Sequence, residues 1–166
     1  MQRAIGISVH TGWAACVVVG GSLPNPAIVA NEIIDLLDDS QRFCFHLAAE
    51  MKRDAAEDWL ASVRSQAIAN AKQAFAGLVG KDVNACAIVA KEGDAGDLDR
   101  IFASHPRIHT AEGCFYRDVL REACPVPASV IAPATLDPSR LGKLAPPPWG
   151  RDQKLATLAA LKVMRR

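Results

Sequence analysis

The chain has 166 residues, half of them apolar, and 19 basic against 18 acidic side chains leave a formal net charge of +1. That length fits one compact domain with a sizeable core, and the charge balance excludes a protein that holds nucleic acid through a global basic excess. No apolar run approaches the roughly 20 residues of a membrane span, and the first twenty residues lack a secretory pattern, so no membrane partner and a cytosolic (cytoplasmic) location are expected.

The elements follow from hydrophobic period and punctuation. Ala4 to Val9 and Ala14 to Val19 are two short apolar runs rich in β-branched residues, separated by His10-Thr11-Gly12-Trp13 and closed by Gly20-Gly21. They predict a β-hairpin over about 3–9 and 14–20, with a turn that carries a histidine and a tryptophan where turns usually carry Gly, Asn, Asp or Pro. After Pro24-Asn25-Pro26, the apolar residues of 27–37 predict a third strand, a helical stripe being the competing reading. Residues 42–47 read as a strand or an ordered loop. Asp54 and Glu57 have capping-box spacing ahead of a stripe through Leu60, Val63, Ala67, Ile68, Ala71, Phe75 and Leu78, which predicts a helix over 54–77.

Residues 84–90 form a short run apolar on both faces and predict a central strand. A polar glycine-rich loop follows from Lys91 to Asp97, then a turn or two of helix from Leu98 to Ala103. His105-Pro106 is expected to break the chain's path there, because a residue before proline avoids the α region. Thr110 is then the expected cap of a helix over 110–124, residues 126–132 a fifth strand, and Asp137-Pro138 a cap with a first-turn proline. Pro146-Pro147-Pro148-Trp149 is a stiff extended segment. The last predicted helix covers 151–164, with Leu155, Leu158, Leu161 and Met164 inward and Arg165-Arg166 complementing its carboxyl end. Five cysteines, Cys16, Cys44, Cys86, Cys114 and Cys124, have no C-x-x-C pair and read as small buried thiols in a reducing compartment.

Strand, strand, strand, helix, strand, helix, strand, helix implies a five-stranded mixed α/β sheet with helices on both faces. This order, with Ala4-Ile5-Gly6-Ile7-Ser8 as first strand, resembles the ribonuclease H-like fold, and within it the RuvC-type resolvases and their YqgF-like relatives. The resemblance covers residues 1–166 as a single domain. It implies a metal-binding aspartate on the first strand, a glutamate just past the fourth and an acidic residue at the last helix. The matching positions hold Ser8, Glu92 and Asp152. A neutral hydroxyl cannot replace a carboxylate toward Mg²⁺, so no tightly bound two-metal centre is expected. The chain also resembles a set of functionally unassigned bacterial proteins of similar length. That likeness is carried by His10 to Ala14, Ser104-His105-Pro106, His109 to Gly113 with Arg117, and Pro148-Trp149 with Asp152 to Lys154; it joins these residues and supplies no activity.

With the first, third, fourth and fifth strands running one way, all four histidines fall at the edge where those strands end. Ligands of open α/β sheets bind there. His10, Thr11, Trp13, His109, Glu112, Arg117, Trp149 and Asp152 are therefore the candidate ligand-binding residues. Helix amide groups and Arg117 would serve as anion donors and Trp149 as an apolar wall. No catalytic residue is assigned. His105 and His109 have the spacing of a helical metal pair, but with a break expected at Pro106 no metal ligand is assigned either. His46 is read as packing behind phenylalanines, with a place in the site as the alternative. The preferred reading is a binding or regulatory module for an anionic, phosphate-bearing small molecule or nucleotide. The alternative is a phosphoester or nucleic-acid hydrolase using His10 or His109 with Glu92 or Asp152. Cofactor, oligomeric state and reaction stay open.

Overall fold

The computed structural model describes residues 2–164; the expectation for Arg165 and Arg166 lies outside the described residues. Strand β1 (Arg3–Val9) and strand β2 (Trp13–Gly21) form the expected hairpin, with Ile5 opposite Val18 and Ile7 opposite Cys16. Both are buried along nearly their whole length, which requires cover on both faces. Strand β3 (Pro26–Asp35) pairs antiparallel with β2 and is a half-exposed edge. Strand β4 (Val83–Val89) lies parallel to β1, and strand β5 (Ala128–Ile131) parallel to β4. The sheet order is β3-β2-β1-β4-β5, so β1, β3, β4 and β5 do end at one edge.

One face is covered by helices α1 (Cys44–Ala49), α2 (Arg53–Leu78) and α4 (His105–Ala123), the last preceded by the short helix α3 (Leu98–Phe102). From α2, Val63, Ala67, Ile68, Ala71 and Phe75 are buried against Ile5, Ile7, Cys16 and Val18. Each large side chain among them contributes about 1.5–3 kcal/mol by leaving water. The other face is covered by helix α5 (Arg151–Met164), with Leu136 packed beside it.

Three expectations need correction. Residues 42–47 do not form a strand: Cys44–Ala49 is helical, held against its neighbours where Trp59 Nε1 donates to Cys44 O and the Tyr116 hydroxyl to Arg42 O. Helix α4 begins at His105, not at Thr110. Pro106 sits in its first turn, where an amide N–H has no helical acceptor and its loss costs nothing; Ser104 takes the cap position with extended backbone. Thr110 therefore lies inside the helix, its hydroxyl donating back to Pro106 O at 3.1 Å. Finally, α5 presents Ala156, Ala159, Ala160 and Val163 with Leu155 to the sheet, whereas Leu158, Leu161 and Met164 are only partly buried. The facing strand positions are small too, Ala4, Gly6 and Ala87, so the helix backbone approaches closely.

The cysteines divide into two groups. Cys16, Cys44 and Cys86 are buried, and burial pushes the Cys44 thiol up to about 12. Cys114 and Cys124 are half-buried. Cys124, which caps α4, is lowered to about 7 because the Cys86 thiol hydrogen-bonds its thiolate, against the effect of burial. Alkylation of the native protein at pH 7.5 is expected to modify Cys124 first and to reach Cys16, Cys44 and Cys86 only after denaturation. A depressed thiol is ionised above its folded value, so the lead should fade below pH 7 and again above about pH 9, where ordinary thiols ionise too. Peptide mass mapping over time would read this; equal labelling of Cys16 and Cys124 would refute it.

Candidate functional site

The β1–β2 turn is held tightly. His10 N donates to Trp13 O, and Gly12 O accepts from the amides of Leu36 and Leu37 beyond β3. Gly12 has φ of 86°, and a Cβ there would stand 2.5 Å from Arg42 Cβ, so only glycine fits. This turn sets His10 flat against Trp13, with ring centroids 4.0 Å apart and planes within 3°. Thr11 is half-buried in the same turn.

Asp152 arrives from the first turn of α5. Its Oδ1 accepts from Ser8 Oγ at 3.0 Å and from His10 Nε2 at 2.7 Å, joining residues more than 140 positions apart. The carboxylate is the hub of this cluster. Ser8 and His10 both donate to one oxygen, so His10 Nε2 is engaged on Asp152 and does not act as base on the Ser8 hydroxyl. The arrangement is not the serine–histidine–carboxylate relay of an acyl-transfer enzyme. His10 and Asp152 stay about one-third exposed, at 38% and 30%.

A second cluster lies at the start of α4. His105 and His109 stand one helical turn apart on an exposed face, with Nε2 atoms 3.0 Å apart. His46 of α1 packs edge-on to both. Behind it, Glu112 is 1% exposed and accepts from His46 Nδ1 at 2.8 Å and from His46 N at 3.3 Å. Glu112 thus sits a full two turns into α4, where it accepts from the half-buried His46, and not in a first turn beside the helix dipole. A cavity of about 460 Å³ lies beside the second cluster, lined by Lys91, Glu92, Asp94, His109 and Thr110 and reaching Val9, the chain neighbour of His10. Another cavity, about 800 Å³, lies on the α2–α4 side, where Arg53 and Arg64 are paired with Asp99 and Glu122.

Of the candidate residues, His10, Trp13 and Asp152 therefore touch one another, and His109 joins Glu112 through His46. Arg117 stands apart. It is buried, with Nε and Nη2 on Asp118 and Nη1 on Lys91 O, so it ties α4 to the loop after β4, and it lines the 800 Å³ cavity rather than the 460 Å³ one. Trp149 Nε1 donates to Gly142 O, and the neighbouring Pro148 O accepts from Asn31 of β3, so this segment is strapped to the sheet's outer strand. Ser8, His46 and His105 were not among the candidates. Ser104-His105-Pro106 is itself a helix-start signature, and it would have placed His105 and His109 on one face.

Sequence comparison matches no family model and no curated protein. Structural comparison finds RuvC of T. thermophilus in complex with Holliday junction substrate, at 12% identity and a TM-score of 0.53, covering 97% of this chain and 91% of that one. The fold is ribonuclease H-like. Another Thermus thermophilus RuvC structure aligns at 13% identity and a TM-score of 0.48, covering 96% and 92%.

The carboxylates present do not fit the two-metal centre implied by the nuclease resemblance. Where β1 ends, Ser8 offers a hydroxyl, and it already donates to Asp152. Glu92 is exposed on the wall of the 460 Å³ cavity. Among the described residues, no three carboxylates converge; the one group with metal-ligand spacing is His46, His105 and His109.

Proposed function

We propose that this ribonuclease H-like protein binds a phosphate-bearing ligand at the carboxyl edge of its sheet and does not cleave it by two-metal chemistry. One observation carries the reading: the acidic residue at the head of α5 is bonded by His10 and by Ser8, and Ser8 stands where a metal-binding aspartate would be needed. The cavity beside this cluster offers the His109 imidazole and the Lys91 ammonium to an anion, next to the carboxylates of Glu92 and Asp94. The first turn of α4 holds no acid and carries His105 and Arg107, so the positive end of the helix dipole is not offset there. Its likeness in fold to a junction-binding protein supports nucleic acid as one source of the phosphate; a free nucleotide is the other.

Fluorescence anisotropy with labelled linear and branched DNA, alongside calorimetry with mononucleotides, separates these sources. Binding that weakens with salt is expected, with no DNA cleavage in Mg²⁺ or Mn²⁺. His10→Ala should weaken binding about 10-fold, the loss of one charge-assisted contact. Absence of binding to any of these probes would overturn the reading. Mg²⁺-dependent cleavage abolished by Asp152→Asn would replace it with the hydrolase alternative.

A further inference from the structure

The histidines at the start of α4 carry an inference of their own. His46, His105 and His109 each present a ring nitrogen, and the three nitrogens lie within 4.8 Å of one another. The His105 and His109 Nε2 atoms are 3.0 Å apart. Two nitrogens bound tetrahedrally at about 2.0–2.1 Å stand roughly 3.3 Å apart, so this pair is near ligand spacing already. The ring centroids are 4.5 to 5.0 Å apart with steep interplanar angles, which turns edges inward and keeps faces apart. Pro106 rigidifies the first turn, which carries His105 and leads directly to His109.

Glu112 supplies what an isolated histidine cluster lacks. Its buried carboxylate accepts a hydrogen bond from His46 Nδ1–H, which keeps the proton on Nδ1 and leaves His46 Nε2 with the lone pair. Metal-binding imidazoles almost always have such a carboxylate or carbonyl behind them, fixing tautomer and ring orientation. Glu112 lies three residues beyond His109 on the same helix, so the helix itself sets ligands and support in register.

We propose that His46, His105 and His109 hold one divalent transition-metal ion of the zinc class. Imidazole nitrogen selects Zn²⁺, Co²⁺, Ni²⁺ or Cu²⁺ over Mg²⁺ or Ca²⁺. Three protein ligands leave a fourth position, and two of the three histidines are exposed, so that position is open to water or an anionic oxygen. His109 also lines the 460 Å³ cavity, which is where such a ligand would enter. The ion site does not depend on the phosphate reading: the protein can bind Zn²⁺ whether or not it binds DNA or nucleotides.

The test uses tag-free full-length protein stripped with EDTA and titrated with Zn²⁺, and with Co²⁺ for its visible absorption. One ion per chain is expected, at micromolar affinity or tighter, with four-coordinate Co²⁺ bands and no comparable Mg²⁺ binding. His105→Ala and His109→Ala, both exposed positions, should each lower affinity at least 100-fold while leaving the circular dichroism unchanged. Glu112→Gln should lower it about 10–100-fold, the range for a supporting residue. No stoichiometric binding of Zn²⁺ or Co²⁺ by the parent chain would overturn the proposal. So would binding undiminished in the His105→Ala/His109→Ala double variant, which would assign the ion to cysteines instead.

Discussion

Gly6→Ala is expected to destabilise the protein by at least about 3 kcal/mol, the upper range for overpacking a core. Gly6 is central in β1, paired with Val17 on one side and Ala87 on the other. A Cβ built there stands 1.7 Å from the Ala156 carbonyl oxygen and 2.5 Å from its carbon. Both are backbone atoms of α5, so no side-chain rotation relieves the clash. The helix must lift away from the strand, and Ala159, Ala160 and Leu155 lose contact with Ala4, Val17 and Ala87. The same replacement at Gly113 should act oppositely. Gly113 is exposed in mid-α4 with nothing within 4 Å of a Cβ, so alanine should stabilise by about 0.5–1 kcal/mol through helix propensity. Urea midpoints at constant m-value would read both. A midpoint for Gly6→Ala within experimental error of the parent would show that α5 is not seated on β1.

The close seating of α5 also shows where sequence reading succeeds and where it stops. The strands are legible because Ile, Val and Cys runs bounded by glycine or proline admit few alternatives. The span of α5 is legible for similar reasons, but its buried face is not. Leu158 and Leu161 look like the inner stripe, yet Gly6 and Ala87 leave room only for alanines, and that is a property of two distant segments together. The start of α4 was hidden by a conflict between two local rules. A residue before proline avoids the α region, but proline in a first turn is favoured; with Ser104 as cap, the second rule prevails at His105-Pro106. That one decision determines whether His105 and His109 lie apart or on one face. The partners of Arg117, the adjacent Asp118 and the carbonyl of Lys91, could be joined only once the loop's path was known. Ser8 with Asp152, and His46 with Glu112, are pairs between remote elements and leave no local mark in the chain.

The pair most costly to break is His46 with Glu112. His46→Ala in EDTA-treated protein is expected to cost about 3 kcal/mol, the upper end for leaving a buried acceptor without its hydrogen-bond donor, because that acceptor is a carboxylate. Glu112 is 1% exposed, and in the variant its carboxylate keeps only the weaker bond from the backbone amide of residue 46. The cost goes no higher because the His46 side chain is 27% exposed, so water can reach part of the vacated space. Removing the carboxylate as well takes away the group that is costly to leave unpaired. The double variant His46→Ala/Glu112→Ala should therefore be less destabilised than the sum of the two single variants, by about 2 kcal/mol. Metal does not enter this measurement, which isolates the support from the ligands it positions. Strict additivity of the two replacements would mean that Glu112 does not hold His46, and the fixed tautomer on which the three-histidine site relies would be lost with it.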